Sequence, residues 1–392
     1  MLRRALLNIY SKDFHPATDI EVNLFDEIWA KMNEAARKGF RESKTNDPDE
    51  DFKNAILQNN GVFSAFKVHR MQNDMARLLL DSDGNLKPFE QWKKEVMPIA
   101  SHQCGAWLRT EYDTAVIRAH HAADWQQFER EKDILPNLRW TPSTSVHPGA
   151  DHKRFWGTVR PIDDPFWSEH RPGDRWNCKC GLSSTDEPAT PVPGSTSKDA
   201  PQPGLENNPG KDARLFSDKH PYIAHAYPGA EEAVKKLIEA ESRYRELPVK
   251  AGRLRIHEGH GKREKAENIR IGTYLAEKHN YFIDLLDNPD NNKSADSYNH
   301  TLGILQEYKV NSTPTKSSID NLLRDAKKQA NNIVLWVDSD ISWEDLTAAL
   351  RSRVRRSENI ETVTLVRGGK DIMITREVLL KNGFKIRPAD LT

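Results

Sequence analysis

The sequence predicts a multidomain protein: a mostly α N-terminal region with an irregular Trp/Pro/Cys-rich module, a Pro/Gly-rich linker, and a C-terminal α/β unit, a mixed sheet with flanking helices. Three observations carry this. The 392 residues exceed what one hydrophobic core usually organises. Apolar residues recur at helical spacing over residues 20–135 and then cease to do so, and beyond residue 255 helical stretches alternate with short apolar runs.

Residues 1–135 form the helical region. Val22, Phe25 and Ile28 mark one periodic stretch and residues 107–128 another, with turn-rich breaks near residues 44–51 and 81–88. The opening MLRRALLNIY has an apolar run too short for a signal peptide, with no cleavage site after it, and no stretch approaches the ~18 apolar residues of a membrane span. Cys104, Cys178 and Cys180 are the only cysteines, an odd number that argues for a reducing compartment. Production in a cytoplasm is the expectation.

Residues 136–184 are dense in Trp, Pro and His and show no long periodic helix, so a compact module held by aromatics is expected. Residues 185–229 follow. Their first part, TDEPATPVPGSTSKDAPQPGLENNPGK, reads as an extended linker, and a domain boundary is expected there. Residues 230–254 hold a charged connecting helix over residues 230–247. From 255 to 392 the pattern predicts helices at residues 263–279, 317–331 and 342–356, strands at 281–286, 301–310 and 333–337, and a hairpin over 362–375 turning on Arg367-Gly368-Gly369-Lys370. Trp336 and Trp343 are expected in its core.

Lys+Arg and Asp+Glu both total 58, so overall charge names no partner; a small basic excess after residue 250 hints at a polyanion. The chemistry there is more specific. Glu307 and Lys309, two apart on a strand, project to one face, and a hairpin turning at residues 299–301 returns Asp296 close to Glu307. Two converging carboxylates suit a hard divalent cation, Mg²⁺, Mn²⁺ or Zn²⁺, with Lys309 beside it. Glu267 shares a helical face with Ile271, Tyr274 and Leu275, and Gln329 the stripe of Leu322, Ala326 and Ala330, so both are expected to face inward. The run Arg351, Arg353, Arg355 and Arg356 reads either as a solvated helix face or as a phosphate-contacting surface. Glu-x-Lys is also the ordinary look of a solvated strand pair.

Cys178 and Cys180, with His147, His152 or His170 nearby, offer ligands for a structural Zn²⁺; the alternative is two buried thiols packed among Trp156, Trp167 and Trp176. Asp163 and Asp164, before Pro165, are expected to fix a turn.

The ordered residues His152, Gly157, Asp163-Asp164-Pro165-Phe166-Trp167, Pro172, Trp176 and Cys178-Lys179-Cys180 resemble the phage Mu F-like head morphogenesis family of minor capsid proteins. Tyr112-Asp113-Thr114-Ala115-Val116, Asn208-Pro209-Gly210 and His220-Pro221-Tyr222 extend the resemblance over about residues 20–225, with Arg171-Pro172-Gly173 where a double proline is common. It implies portal and capsid partners and a place in the virion. Asp296, Glu307, Lys309, Glu267 and Gln329, in their order, resemble the PD-(D/E)xK nuclease superfamily, in particular the toxin domains of contact-dependent inhibition proteins that cut tRNA, over about residues 255–375. Alanine stands where that family usually has proline before Asp296. This resemblance implies catalytic roles for the five residues, phosphate contacts from the arginines, tRNA rather than DNA as substrate, and an immunity protein as a further partner. A metal-independent barnase- or colicin-like RNase using His257, His260 or His300, and a non-catalytic decorating or DNA-binding module, stand as alternatives.

Overall fold

The structure, a computed structural model, describes residues 2–43, 48–261, 263–288 and 294–392. They divide into two units, residues 1–239 and 240–392. The expected order of an α region followed by an α/β region is observed.

The first unit opens with α1 (Leu2–Tyr10), α2 (Val22–Glu42), α3 (Glu50–Ala76), α4 (Phe89–Ser101) and, beyond a π-helical turn, α5 (Leu108–Glu131). Carboxylates start two of them: Glu21 accepts from the Leu24 N–H and Asp49 from the Phe52 N–H. Residues 44–47 of the first expected break lie outside the described residues. In the second, Asp81 accepts the N–H groups of Asp83 and Asn85, each at 2.9 Å.

α2 and α5 cross closely because their facing residues are small: Ala35, Ala36, Ala115, Ala119 and Ala122 are fully buried. At the crossing a Cβ on Gly39 would stand 2.3 Å from the Val116 carbonyl oxygen. Gly39→Val is therefore expected to cost about 1–3 kcal/mol by forcing the helices apart; urea unfolding of the full chain measures it, and an unchanged midpoint would show that the seam can spread freely. α3 runs through the interior, and its polar residues are satisfied there. Gln72 Nε2 donates to the Pro16 and Asp19 carbonyls at 2.7 and 2.6 Å, and Lys67 Nζ lies 2.7 Å from Glu111 Oε2.

The Trp-rich module contains β1 (Asn137–Thr141), α6 (Ala150–Lys153), β2 (Val159–Pro161), α7 (Phe166–Glu169) and β3 (Gly181–Thr185), with an antiparallel sheet in the order β2-β1-β3. Its core is aromatic: Trp140 stacks on Phe155 at 5.2 Å, with Phe166 and Trp167 around them. Asp164 holds the expected turn, accepting from the Phe166 N–H at 2.8 Å and pairing with Arg160, while Asp163 stays exposed.

The linker reading is corrected. Residues 197–224 lie on the first unit, where Leu205, Leu215, Phe216 and Tyr222 join its core, and the division falls at residues 239/240. A segment too polar to build its own core docks on one already built, and its carbonyls need donors. Arg118 of α5 supplies them: Nε donates to Leu215 O (2.6 Å), Nη1 to Gly173 O (2.6 Å) and Leu205 O (3.0 Å), and Nη2 to Asn207 O (2.8 Å) and Oδ1 (2.7 Å). All five guanidinium N–H donors are used. The segment includes the short α8 (Pro209–Asp212) and α9 (Pro221–Ala224).

The connecting helix is corrected as well. α10 (Ala230–Glu241) stops early, and β4 (Tyr244–Leu247) and β5 (Arg253–His257) form an antiparallel pair where helix and connector were expected. Arg255 is buried against Asp284 (Nε–Oδ1 2.7 Å) and also reaches Glu241, contacts outside the reach of local periodicity. The rest of the unit is α11 (Lys265–His279), β6 (Phe282–Leu285), β7 (Ser297–Asn299), β8 (Ile304–Asn311), α12 (Lys316–Ala326), β9 (Asn332–Val337), α13 (Trp343–Arg355), β10 (Thr362–Arg367), β11 (Lys370–Thr375) and α14 (Arg376–Leu380). The mixed eight-stranded sheet has the order β11-β10-β9-β8-β7-β6-β5-β4, parallel at β8/β9, β9/β10 and β5/β6. β9 shows why both faces are covered: Ile333, Leu335 and Val337 pack with α12 and α13, and Val334 packs with α11.

Candidate functional site

β8 pairs with β9 so that Glu307 stands beside Ile333 and Lys309 beside Leu335, which puts both on the sheet face that α12 covers. They touch: Lys309 Nζ is 2.7 Å from Glu307 Oε1. Gln329, in the turn after α12 rather than within a helix reaching residue 331, donates from Nε2 to the same Oε1 at 2.5 Å. Glu307 is 1% exposed, and its second oxygen, Oε2, is buried with no hydrogen-bond partner among the described residues.

Asp296 enters from the turn before β7. The chain reverses at residues 300–303, one or two residues later than expected, and β7 pairs back on β8 with Ser297 opposite Gln306. Lys293, part of that stretch, lies outside the described residues. The Asp296 carboxylate is fully buried and strongly held: Oδ1 accepts from Asn268 Nδ2 (3.0 Å) and Asn288 Nδ2 (2.9 Å), and Oδ2 from the Tyr308 N–H (2.8 Å). Burial, and next the charge of Asp296, push the Glu307 carboxyl up to about 8 despite Lys309. Burial opposes the charge on Lys309, but Glu307 outweighs it and holds that ammonium above its ordinary value.

Glu267 is corrected. It is exposed, because the buried stripe of α11 is Asn268, Ile271, Gly272, Leu275 and Ala276, one residue out of phase with the expected face. Asn268 therefore occupies the inward position given to Glu267, and its amide holds Asp296. Reading the stripe as i, i+3, i+4, i+7 from Ile271 and Leu275 finds it. Glu264, just before α11, comes within 3.8 Å of Lys309.

The arginines of α13 divide. Arg353 is buried and pairs with Asp320, which also takes Arg356, and Arg351 donates to the Lys381 carbonyl at 2.6 Å. These three make intramolecular contacts, with Arg353 buried and Arg351 half-buried, and Arg355 is exposed. The histidines are also engaged. His300 Nε2 lies 2.8 Å from Asp284 Oδ2, and His260 has Nδ1 2.7 Å from the Leu286 carbonyl and Nε2 3.1 Å from the Asn268 amide. His257 Nδ1 accepts from the Gly259 N–H at 3.1 Å. Trp336 is half-buried against Tyr274, and Trp343 packs on the core of α12, α13 and α14.

In the first unit the structure brings His152, Cys178 and Cys180 together, with one ligand atom of each within 4.8 Å of the others. Asn177, in the left-handed region at φ 57°, sets the turn into Cys178. His152 Nδ1 is 3.2 Å from Cys178 Sγ, and Asp174, fully buried, places Oδ1 2.8 Å from His152 Nε2. The hydrogen bond from Cys178, then His152, Trp140 and Trp156, pulls the Cys180 thiol down against its burial; the bond to Cys180 and burial push Cys178 up. His170 instead stacks on Phe155. Asp174 had no signal in local sequence spacing.

Residues 86–183 of the first unit, from just before α4 into β3, match the family described as "Phage Mu protein F like protein". Relatives are the "Mu-like prophage FluMu F protein" of Haemophilus influenzae, 31% identical over 80 residues, 20% of this chain and 19% of the relative. Another is the "Putative capsid assembly protein F" of Escherichia phage Mu, 25% identical over 104 residues, 26% of this chain and 21% of the relative. The chain thus matches about a fifth of each relative's length. No solved structure matches. No helix among the described residues is long and apolar enough to cross a membrane.

Proposed function

We propose that this chain is a phage minor head protein, made in the bacterial host and carried in the virion, whose C-terminal unit is a metal-dependent endonuclease acting on tRNA. The head role rests on the match over residues 86–183 and on the capsid-assembly name of one relative. The nuclease role rests on one observation: Asp296, Glu307, Lys309 and Gln329 converge, and Glu307 Oε2 is buried there without a hydrogen-bond partner among the described residues.

That orphaned oxygen, beside a second carboxylate, fits a hard divalent cation. Glu307 Oε2 and the remaining lone pair of Asp296 Oδ2 would hold it. Once bound, the cation polarises a phosphodiester and acidifies a water. Asn268, Asn288 and the Tyr308 N–H orient Asp296; Gln329 and Lys309 hold Glu307 Oε1 and so set its rotamer. Lys309 keeps its ammonium at the reacting phosphate, where it offsets charge developing in the transition state.

The full chain, offered tRNA and duplex DNA with and without Mg²⁺, Mn²⁺ or Zn²⁺, tests this reading. Metal-dependent tRNA cleavage is expected. Cleavage that persists in chelator favours the barnase-like alternative, and none on either substrate favours a purely structural unit. For the head role, particles purified after induction should contain the chain by mass spectrometry. A pH dependence follows too. Glu307 keeps its proton up to about pH 8, so cation binding must release it. Mn²⁺ affinity should rise, by up to about tenfold per pH unit, between about pH 6 and 8 and level off above; calorimetry giving a flat profile would contradict Glu307 as a ligand.

A further inference from the structure

We propose that His152, Cys178 and Cys180 form a zinc site in the first unit, with three protein ligands and a fourth position open to a cavity. This site is independent of the nuclease reading. The donor set is the first argument: two sulfurs and one imidazole nitrogen are the soft and borderline ligands that Zn²⁺ selects over Mg²⁺ or Ca²⁺.

Geometry is the second. Zn–S near 2.3 Å and Zn–N near 2.0–2.1 Å put tetrahedral ligand atoms roughly 3.5–3.8 Å apart. Here the ligand atoms lie within 4.8 Å of one another, and His152 Nδ1 is 3.2 Å from Cys178 Sγ, so side-chain rotations of a few tenths of an ångström to about one ångström close the set. The left-handed Asn177 is what lets two cysteines separated by one residue turn toward one point.

Asp174 supplies a third, separate argument. A metal-bound histidine commonly gives its other ring nitrogen to a carboxylate, which fixes the tautomer and aims the free lone pair at the metal. Asp174 is 0% exposed and sits 2.8 Å from His152 Nε2, leaving Nδ1 directed at the thiols. Burying that carboxylate is costly unless it is paired, and a cationic metal relayed through the imidazole adds to the pairing.

The site does not close on itself. All three ligand residues line a cavity of about 840 Å³ whose wall also carries His147, Asp113 and Glu42. A structural zinc takes four protein ligands, whereas an open fourth position is filled by water or by an incoming donor. The inferred ion therefore ties α6 to the turn before β3 and presents one exchangeable position to the cavity.

The test uses the full chain with Glu307→Ala, so that the acidic site of the second unit takes no metal, reduced and stripped of metal and titrated with Co²⁺ and then Zn²⁺. One equivalent of Co²⁺ should bind with sulfur-to-cobalt charge transfer and tetrahedral ligand-field absorption, and Zn²⁺ should displace it. Cys178→Ser and Cys180→Ser should abolish the charge-transfer band, while Cys104→Ser should leave it. Asp174→Asn should keep the band and weaken affinity about 10- to 100-fold. Binding without charge transfer, or no uptake by the folded parent chain, overturns the proposal; because the parent chain alone gives that answer, a Cys variant that fails to fold does not remove the test.

Discussion

Glu307→Ala should reduce tRNA cleavage on the order of a thousandfold while leaving the chain folded. The scale is that of losing one preorganised group that acts on transition-state charge. Here the substitution removes the orphaned Oε2 and the partner of both Lys309 and Gln329 at once. Lys309→Ala should cause a loss of similar order. The double variant should lose little more than either single one, because the groups act as a unit and their losses are not additive. Gel-based single-turnover assays with a fixed Mn²⁺ concentration measure all three. Full additivity would mean that the two residues work separately, and undiminished cleavage in both variants would remove the site from β8 altogether. Fold integrity is read independently, from the far-UV circular dichroism of the metal-free variant, which should match that of the parent chain.

The second large effect concerns stability of the first unit. Arg118→Leu should cost roughly 3 kcal/mol, since it leaves the carbonyls of Gly173 and Leu215 without their side-chain donor, and those of Leu205 and Asn207 with Arg171 alone, in a place that water does not reach. The loss should be local first. Residues 197–224 would come away from α5, and limited proteolysis should cut there before the helices melt. Arg118→Lys should recover little, because one ammonium cannot reproduce five donors in a planar fork. Resistance of Arg118→Leu to both protease and denaturant would show that Arg171 and the aromatic contacts of Phe216 and Tyr222 hold the segment without it.

The same arginine shows where sequence reading stopped. A Pro/Gly-rich stretch with few apolar residues looks like a linker because local composition records only what a segment can bury by itself. Its four docking residues and the guanidinium that receives its carbonyls are spread from residue 118 to 222. The error at residues 244–257 has the same origin: Arg255 and Tyr244 are strand residues because of Asp284 and the β6 edge, and the Glu/Lys/Arg pattern before them continues a helix equally well. At the candidate site, Glu307 and Lys309 were legible from a period of two, a property of any strand. Glu267 was misplaced by one residue, which on a helix is 100°, and Asn268 took the buried position.

By itself the sequence determined the two classes of architecture and their order, the Glu307–Lys309 face, the turn at Asp164 and the pairing of two cysteines near a histidine. Each of these depends on neighbours a few residues away, or on a periodicity that a single element carries. Tertiary structure alone decided that residues 197–224 belong to the first unit, that Arg353 is held by Asp320, and that Asp174 stands behind His152. These are contacts between distant segments, settled by which buried polar group finds a partner, and no local pattern encodes them.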